Sequence, residues 1–234
     1  MKKTITIPVF NEAKTLPAQL EKILTYINNE GLDFDLVVVN NNSTDDTEQT
    51  LYELSLVYEF HVINLKKKGV GIALRESWDT AGENEIIGYM DLDLSTDLEN
   101  LKNIDDILRK YDILTASRLE KSSKVFNRKI SREIISRVFN IIIKIVFKSK
   151  LKDHMCGFKF MTSDQYITLK NKYRYSDDWF FLVELLIIAQ REGRNIFSVP
   201  VIWRDDPNSK VKVVSLSFSY LMSMLKLKKS FNEK

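Results

Sequence analysis

Ile86-Ile87-Gly88-Tyr89-Met90-Asp91-Leu92-Asp93 is an apolar run that ends in two carboxylates two residues apart. In a strand, successive side chains point to opposite faces, so positions two apart point the same way. Asp91 and Asp93 can then reach one ligand just past the strand's end. Magnesium and manganese prefer oxygen ligands, and magnesium is commonly held by one or two carboxylates plus substrate phosphates. The pair is therefore the candidate metal site. Asp-x-Asp steps are common, so the meaning of this one depends on what the rest of the chain brings to the same edge.

Residues 4–9 are rich in β-branched side chains and stop at Asn11-Glu12, which predicts a strand feeding a loop. Leu16, Leu20, Ile23, Leu24 and Ile27 recur at helical spacing up to Gly31. Residues 34–39 read as an apolar, doubly buried strand, followed by the turn-rich Asn40-Asn41-Asn42-Ser43-Thr44-Asp45. Thr44 or Asp45 is placed to cap a helix over 46–58. Residues 61–65 read as a strand, 72–80 as a short helix and 85–90 as the strand that ends at the aspartates. Such alternation implies an α/β fold, a parallel sheet with helices on both sides and ligands at the carboxyl ends of its strands. Asn11, Asn40 and Asp91 each follow a strand, so one edge should gather them.

Beyond residue 97 the pattern is less regular. It predicts a helix over 98–110, a strand over 113–117, a long basic helix over 128–147 and a short strand over 158–161. A strongly apolar helix over 179–192 ends at Gly193, and a final strand over 196–203 precedes a polar turn over 205–209. No repeat or linker divides the 234 residues, so a single domain is expected. Thirty-five Lys and Arg against 32 Asp and Glu leave +3, and the basic residues are not clustered with aromatic stacking positions, so nucleic acid is not an expected partner. The single Cys156 excludes an intramolecular disulfide framework, and no signal peptide precedes Ile5, which makes a cytoplasmic protein the default. Apolar stretches at 138–147 and 213–227 are too short or too polar to span a membrane. Flanking lysines would let either lie on a bilayer surface, and amphipathic helices packed on the core are the competing reading.

Five segments then resemble the family 2 inverting glycosyltransferases of the Rossmann-like GT-A fold. They are Ile7-Pro8-Val9-Phe10-Asn11-Glu12, residues 37–45, residues 68–75, residues 89–95 and Ala116-Ser117-Arg118, in the family's order. Further on, residues 132–140 resemble the Arg-x-x-x-Ser-Arg-x-x-Asn helix of the branch that glycosylates polyprenyl or dolichyl phosphate. Residues 153–159 resemble its Asp-x-x-Cys-Gly-Phe-Lys block, and 179–186, 199–203 and Ser209-Lys210-Val211 complete the pattern. The resemblance implies a catalytic domain over 1–211, with 212–234 an amphipathic basic helix or tail.

Carried over by position, the resemblance implies that Pro8, Asn11, Glu12 and Asn40 line the donor's base and ribose. Asp91 would touch ribose or metal, and Asp93 would bind a magnesium or manganese ion that neutralises the diphosphate. Arg75, Arg118 and Arg132 are the arginines expected at phosphates, because a guanidinium fork matches phosphate oxygens. Lys159 would join Arg132 at the acceptor, and Asp153 is the nominated base should the acceptor be a hydroxyl, with pairing to Lys159 or Arg132 as its other role. His61 is expected only to pack, and neither it nor His154 is given a role. Asn40 stands where the family usually has Asp, Ser95 where some relatives have a metal-binding Gln, and Leu182 where an Asp often precedes the Glu184 position. The implied reaction moves a hexose, from UDP-glucose first and GDP-mannose next, to polyprenyl or dolichyl phosphate at a membrane surface with inversion. A saccharide or other hydroxyl acceptor on the same fold, or a nucleotide-sugar-binding protein without catalysis, stays open.

Overall fold

The structure, a computed structural model, describes residues 1–173, 176–205 and 213–233. The alternation expected of the first half is present: β1 (Lys3–Val9), α1 (Leu16–Asn29), β2 (Asp35–Asn40), α2 (Thr47–Ser55), β3 (His61–Asn64), α3 (Val70–Trp78) and β4 (Ile86–Met90). Next come a 3-10 turn (Glu99–Asn103), α4 (Ile104–Leu108), β5 (Ile113–Ser117), β6 (Lys124–Phe126) and α5 (Ile130–Phe147). The chain ends with β7 (Phe158–Thr162), α6 (Ser163–Lys170), α7 (Phe180–Arg191), β8 (Ile196–Pro200), β9 (Ile202–Arg204) and α8 (Val213–Asn232).

Seven strands form one sheet in the order β3-β2-β1-β4-β7-β5-β8, and only β7 runs antiparallel to its neighbours. β6 and β9 form a separate parallel pair. The α/β architecture is thus as expected, with three local corrections. The helix expected over 98–110 is a 3-10 turn followed by the five-residue α4. The strand expected over 196–203 is two strands. Pro200 has no N–H to continue the ladder with β5, and the next residue turns away, Val201 N–H donating to Ser123 Oγ at 3.2 Å. His61 opens β3 exposed rather than packed. The turn expected over 205–209 and the Ser209-Lys210-Val211 segment lie outside the described residues, apart from Asp205.

Two apolar layers sandwich the sheet, and the period of two in β4 divides them. Ile87 and Tyr89 face a layer built with α3, α5, α7 and α8, while Ile86 and Met90 face the layer under α1 and α4. Tyr220, Met224 and Leu227 of α8 are buried in the first layer beside Phe139 and Phe180. α8 thus contributes one wall of this layer.

Gly88 makes room for the Phe160 ring of β7 against β4. It pairs with Phe160, and a Cβ at residue 88 would fall inside the Phe160 ring. Gly88→Ala should therefore destabilise the protein by about 1–3 kcal/mol through overpacking. Adding Phe160→Leu should return part of the loss, read as the midpoint of urea unfolding for the single and double variants.

Candidate active site at the carboxyl edge of the sheet

The loops that leave β1 and β2 are laced together by short polar side chains. Asn11, with a positive φ of 56°, accepts from Thr44 N–H at 2.8 Å, and its own N–H donates to Ser43 Oγ at 3.0 Å. Glu12 N–H donates to Thr47 Oγ1 at 2.9 Å, which fixes the start of that loop. Asp45 rather than Thr44 closes the first turn of α2, its Oδ1 accepting from Thr47 N–H at 3.0 Å. Pro8 sits inside β1 opposite Val39.

Two residues expected at the donor are committed within the protein. Asn40 is 3% exposed; its Nδ2 donates to Asn64 Oδ1 at 3.0 Å and its Oδ1 accepts from Ser43 N–H at 3.1 Å. These two bonds use one N–H and one lone pair of the buried amide, which thereby holds β2 to β3 and shapes the turn. Arg75, on α3, donates to Ser176 O at 2.9 Å and pairs with Asp177. Its fork clamps Ser176 and Asp177 onto α3. Glu184 holds the other side of that segment by accepting from Ser176 N–H and Oγ at 2.6 and 2.7 Å, and burial raises its pKa to about 7.

The two aspartates meet different surroundings. β4 ends at Met90, so Asp91 keeps the strand's phase and lies on the same side as Tyr89, whose hydroxyl donates to it. Any side chain at Gly157 would collide with the Asp91 carboxylate, so glycine there is what lets the two approach. Asp93 lies beyond the strand, exposed, in a turn where its Oδ1 accepts from Ser95 N–H at 2.8 Å and Leu94 is held at φ 53°. Burial and then the Asp93 charge push the Asp91 pKa up to about 7, against the pull of Tyr89, Lys159 and Arg118. Two carboxylates that repel each other at a strand tip are a donor set that fits a hard divalent cation, with the remaining ligands left to phosphate and water.

Lys159 is 1% exposed, opposite Tyr89 on β7, with Nζ donating to Cys156 O. It lines a cavity of about 40 Å³ with Tyr89, Asp91, Trp179 and Tyr220. Lys159 thus lies beneath Asp91, and the two charges act on each other. Burial lowers its pKa.

Arg118, at the end of β5, is held bidentately by Asp153, Nε to Oδ2 at 2.7 Å and Nη2 to Oδ1 at 2.9 Å, with both side chains buried. The partner of Asp153 is thus neither Lys159 nor Arg132. Asp153 also accepts from Arg118 N–H and Met155 N–H at 3.1 Å each, and the guanidinium holds its carboxyl well below the usual range against the effect of burial. A carboxylate so engaged is a poor general base, which corrects the nomination of Asp153. It is a positioning residue for Arg118.

Arg132, in the first turn of α5, donates to Asp205 Oδ2 at 3.2 Å. Arg128, which the sequence reading passed over, lies 2.9 Å from Glu133 and 3.9 Å from Asp205. Arg118 and Arg128 both stand over the Trp203 ring, 4.9 and 6.0 Å from its centroid. Two guanidiniums thus gather at one indole, and Arg132 joins them through Asp205, which accepts from the Trp203 indole N–H at 3.2 Å. The only hint of Arg128 in the sequence is its place just before α5. Exposed Arg137 pairs with Glu133 and takes no part in the cluster.

A mostly parallel nucleotide-binding-type sheet with an Asp-x-Asp at a strand tip and arginines beyond it is the GT-A arrangement. The sequence matches Glycosyl transferase family 2 over residues 4–168, and the chain belongs to that family. It is 27% identical over 219 residues to the glycosyltransferase AglD of Haloferax volcanii, covering 90% of this chain and 34% of that protein. It is 25% identical over 254 residues to a dolichyl-phosphate beta-glucosyltransferase of Dictyostelium discoideum, covering 96% of this chain and 76% of that one. The chain thus spans about a third of the AglD length and about three quarters of the other. Glucosyl-3-phosphoglycerate synthase from Mycobacterium tuberculosis, solved with Mn2+, UDP and phosphoglyceric acid, shares the fold at a TM-score of 0.70 and 15% identity, covering 97% of this chain and 78% of that one.

The raised Asp91 pKa has a signed consequence for stability. The folded value of about 7 lies above the unfolded carboxylate value of roughly 3.9, so ionisation costs stability between those two pH values and the full cost stands above the upper one. In chelator-treated protein, Asp91→Asn should raise the thermal midpoint at pH 8 and leave it unchanged near pH 4. An equal change at both pH values would show that Asp91 titrates normally.

Proposed function

We propose that this chain transfers a hexose from a nucleotide sugar, UDP-glucose first and GDP-mannose next, to polyprenyl or dolichyl phosphate with inversion. The work would be done at the cytoplasmic face of a membrane. The observation that carries the reading is the approach of Arg118 and Arg128 to Trp203, with Arg132 linked to them through Asp205 and the Arg118 charge felt at Asp91. A reaction with a diphosphate leaving group and a phosphate nucleophile needs positive charge on both sides of the sugar. The likeness to dolichyl-phosphate beta-glucosyltransferase over nearly the whole chain supports the acceptor and the glucose.

Asp91 and Asp93 would hold magnesium or manganese, which supplies charge neutralisation to the departing diphosphate. The loops of Asn11, Glu12 and Asp45 shape the donor end. An acceptor phosphate oxygen attacks the anomeric carbon as the bond to the diphosphate oxygen breaks on the opposite face, a single displacement that inverts the centre. A phosphate monoester with a second pKa near ~6 is already largely ionised at neutral pH, so the step needs no protein base. That agrees with Asp153 being tied to Arg118. A hydroxyl acceptor would need a base, and the engagement of Asp153 counts against that alternative.

Incubation with labelled UDP-glucose, GDP-mannose and UDP-N-acetylglucosamine should label organic-extractable polyprenyl phosphate from UDP-glucose. Chelation should abolish transfer, and Asp93→Ala should lower it by about a hundredfold or more. Donor binding without lipid labelling would sink the lipid-phosphate reading and send the search to saccharides or to a binding protein. Arg132→Ala should raise KM for the lipid by roughly tenfold or more and leave KM for the nucleotide sugar unchanged, an equal rise in both counting against the acceptor assignment.

A further inference from the structure

Away from the strand tips, α5, α7 and α8 enclose a cavity of about 390 Å³. Lys148, Arg191 and Lys228 line it together with Phe147, Ile187 and Phe231. None of the three cations has a carboxylate partner among the described residues. The nearest acid in sequence, Glu192, is taken by Lys172 and Tyr173. Arg191 stacks on Phe231 with its guanidinium 4.4 Å from the ring centroid, and Lys228 Nζ donates to Val146 O at 3.2 Å.

Cations at helix carboxyl ends often do no more than cap them. α5, α7 and α8 all end at this cavity, and each carries about half a negative charge there. Their sum, about one and a half, leaves the three cations in excess by about one and a half, within the charge range of a phosphate monoester at neutral pH. The cavity is therefore electrostatically incomplete.

A second observation says what completes it. Ile130, Ile134, Val138, Ile141 and Ile145 recur at helical spacing along α5 and are between 47% and 78% exposed, with Leu225 of α8 exposed alongside. The neighbouring Ile143 is fully buried, so α5 packs one face on the core and presents a continuous apolar stripe on the other. The stripe runs toward the cationic cavity at the carboxyl end of α5. An apolar stripe with basic residues at its end is the pattern of a helix lying in a bilayer interface.

We propose that α5 lies in the interface of an anionic bilayer and that the Lys148-Arg191-Lys228 cavity takes the phosphate headgroup of a bilayer lipid. This is a second lipid contact, separate from the arginine cluster at Trp203. It deepens the lipid-acceptor reading, and it is tested without turnover so that the two can fail separately.

The test is co-sedimentation of this chain with phosphatidylcholine vesicles, with and without phosphatidic acid. Lys148→Asn with Arg191→Gln removes two cavity charges; asparagine suits the left-handed φ of 54° at residue 148. Lys22→Ala with Lys110→Ala removes two charges from the other helical layer. Binding is expected to require phosphatidic acid, to fall roughly thirtyfold in the cavity variant and to fall no more than about threefold in the distant one. Equal losses would mean diffuse attraction and overturn the headgroup site, as would full binding by the cavity variant. Indifference to phosphatidic acid, or a concentration-dependent dimer that forms through α5 without vesicles, would overturn the proposal. Matching thermal midpoints establish that both variants fold, and lipid labelling in detergent reads the transferase independently.

Discussion

The buried ion pair between Arg118 and Asp153 sets the positions of the groups around it. Asp153 closes a loop that runs back toward β7 and the Asp91 carboxylate, while Arg118 ends β5 and stands against Trp203. Removing one partner of such a pair typically costs about 3–5 kcal/mol, because a charge is left buried and alone. The pair also reaches inward. Asn140 Nδ2 lies 3.5 Å from Asp153, and its Oδ1 accepts from both His154 N–H and Nδ1 at 3.0 and 2.9 Å. His154 Nε2 in turn faces Ser149 Oγ at 2.7 Å, and burial lowers its pKa to about 4, so the ring is neutral in a fixed tautomer. The network ties α5 to the loop before β7.

How much of this was legible depends on range. β4 was legible because its signal is local: a period of two, a glycine and a terminal carboxylate all sit within eight residues. The position of Asp91 on the Tyr89 side of the strand follows from that period alone. Partner choice was not legible. Arg75 meets Asp177 102 residues away, Arg132 meets Asp205 73 away, and Arg118 meets Asp153 35 away. Residue type states what a guanidinium could bind, while the fold decides which acid reaches it first. Asn40 shows the same limit, since its amide looks free until Asn64 is placed beside it by the pairing of β2 with β3.

The site therefore holds two opposite electrostatic conditions within one edge. Around Trp203 the charges balance: three arginines face Asp153, Asp205 and Glu133. At the tip of β4 Asp91 and Asp93 repel, and Tyr89, Lys159 and Arg118 lean the other way. An anion that reached Arg132 would have to compete with Asp205 for the same guanidinium. Arg118 is held from two directions by a fully buried acid, whereas Arg132 meets Asp205 at 3.2 Å and stays partly exposed. That exposure leaves Arg132 within reach of an anion from solvent, while Arg118 stays fixed and acts on Asp91 through its charge alone.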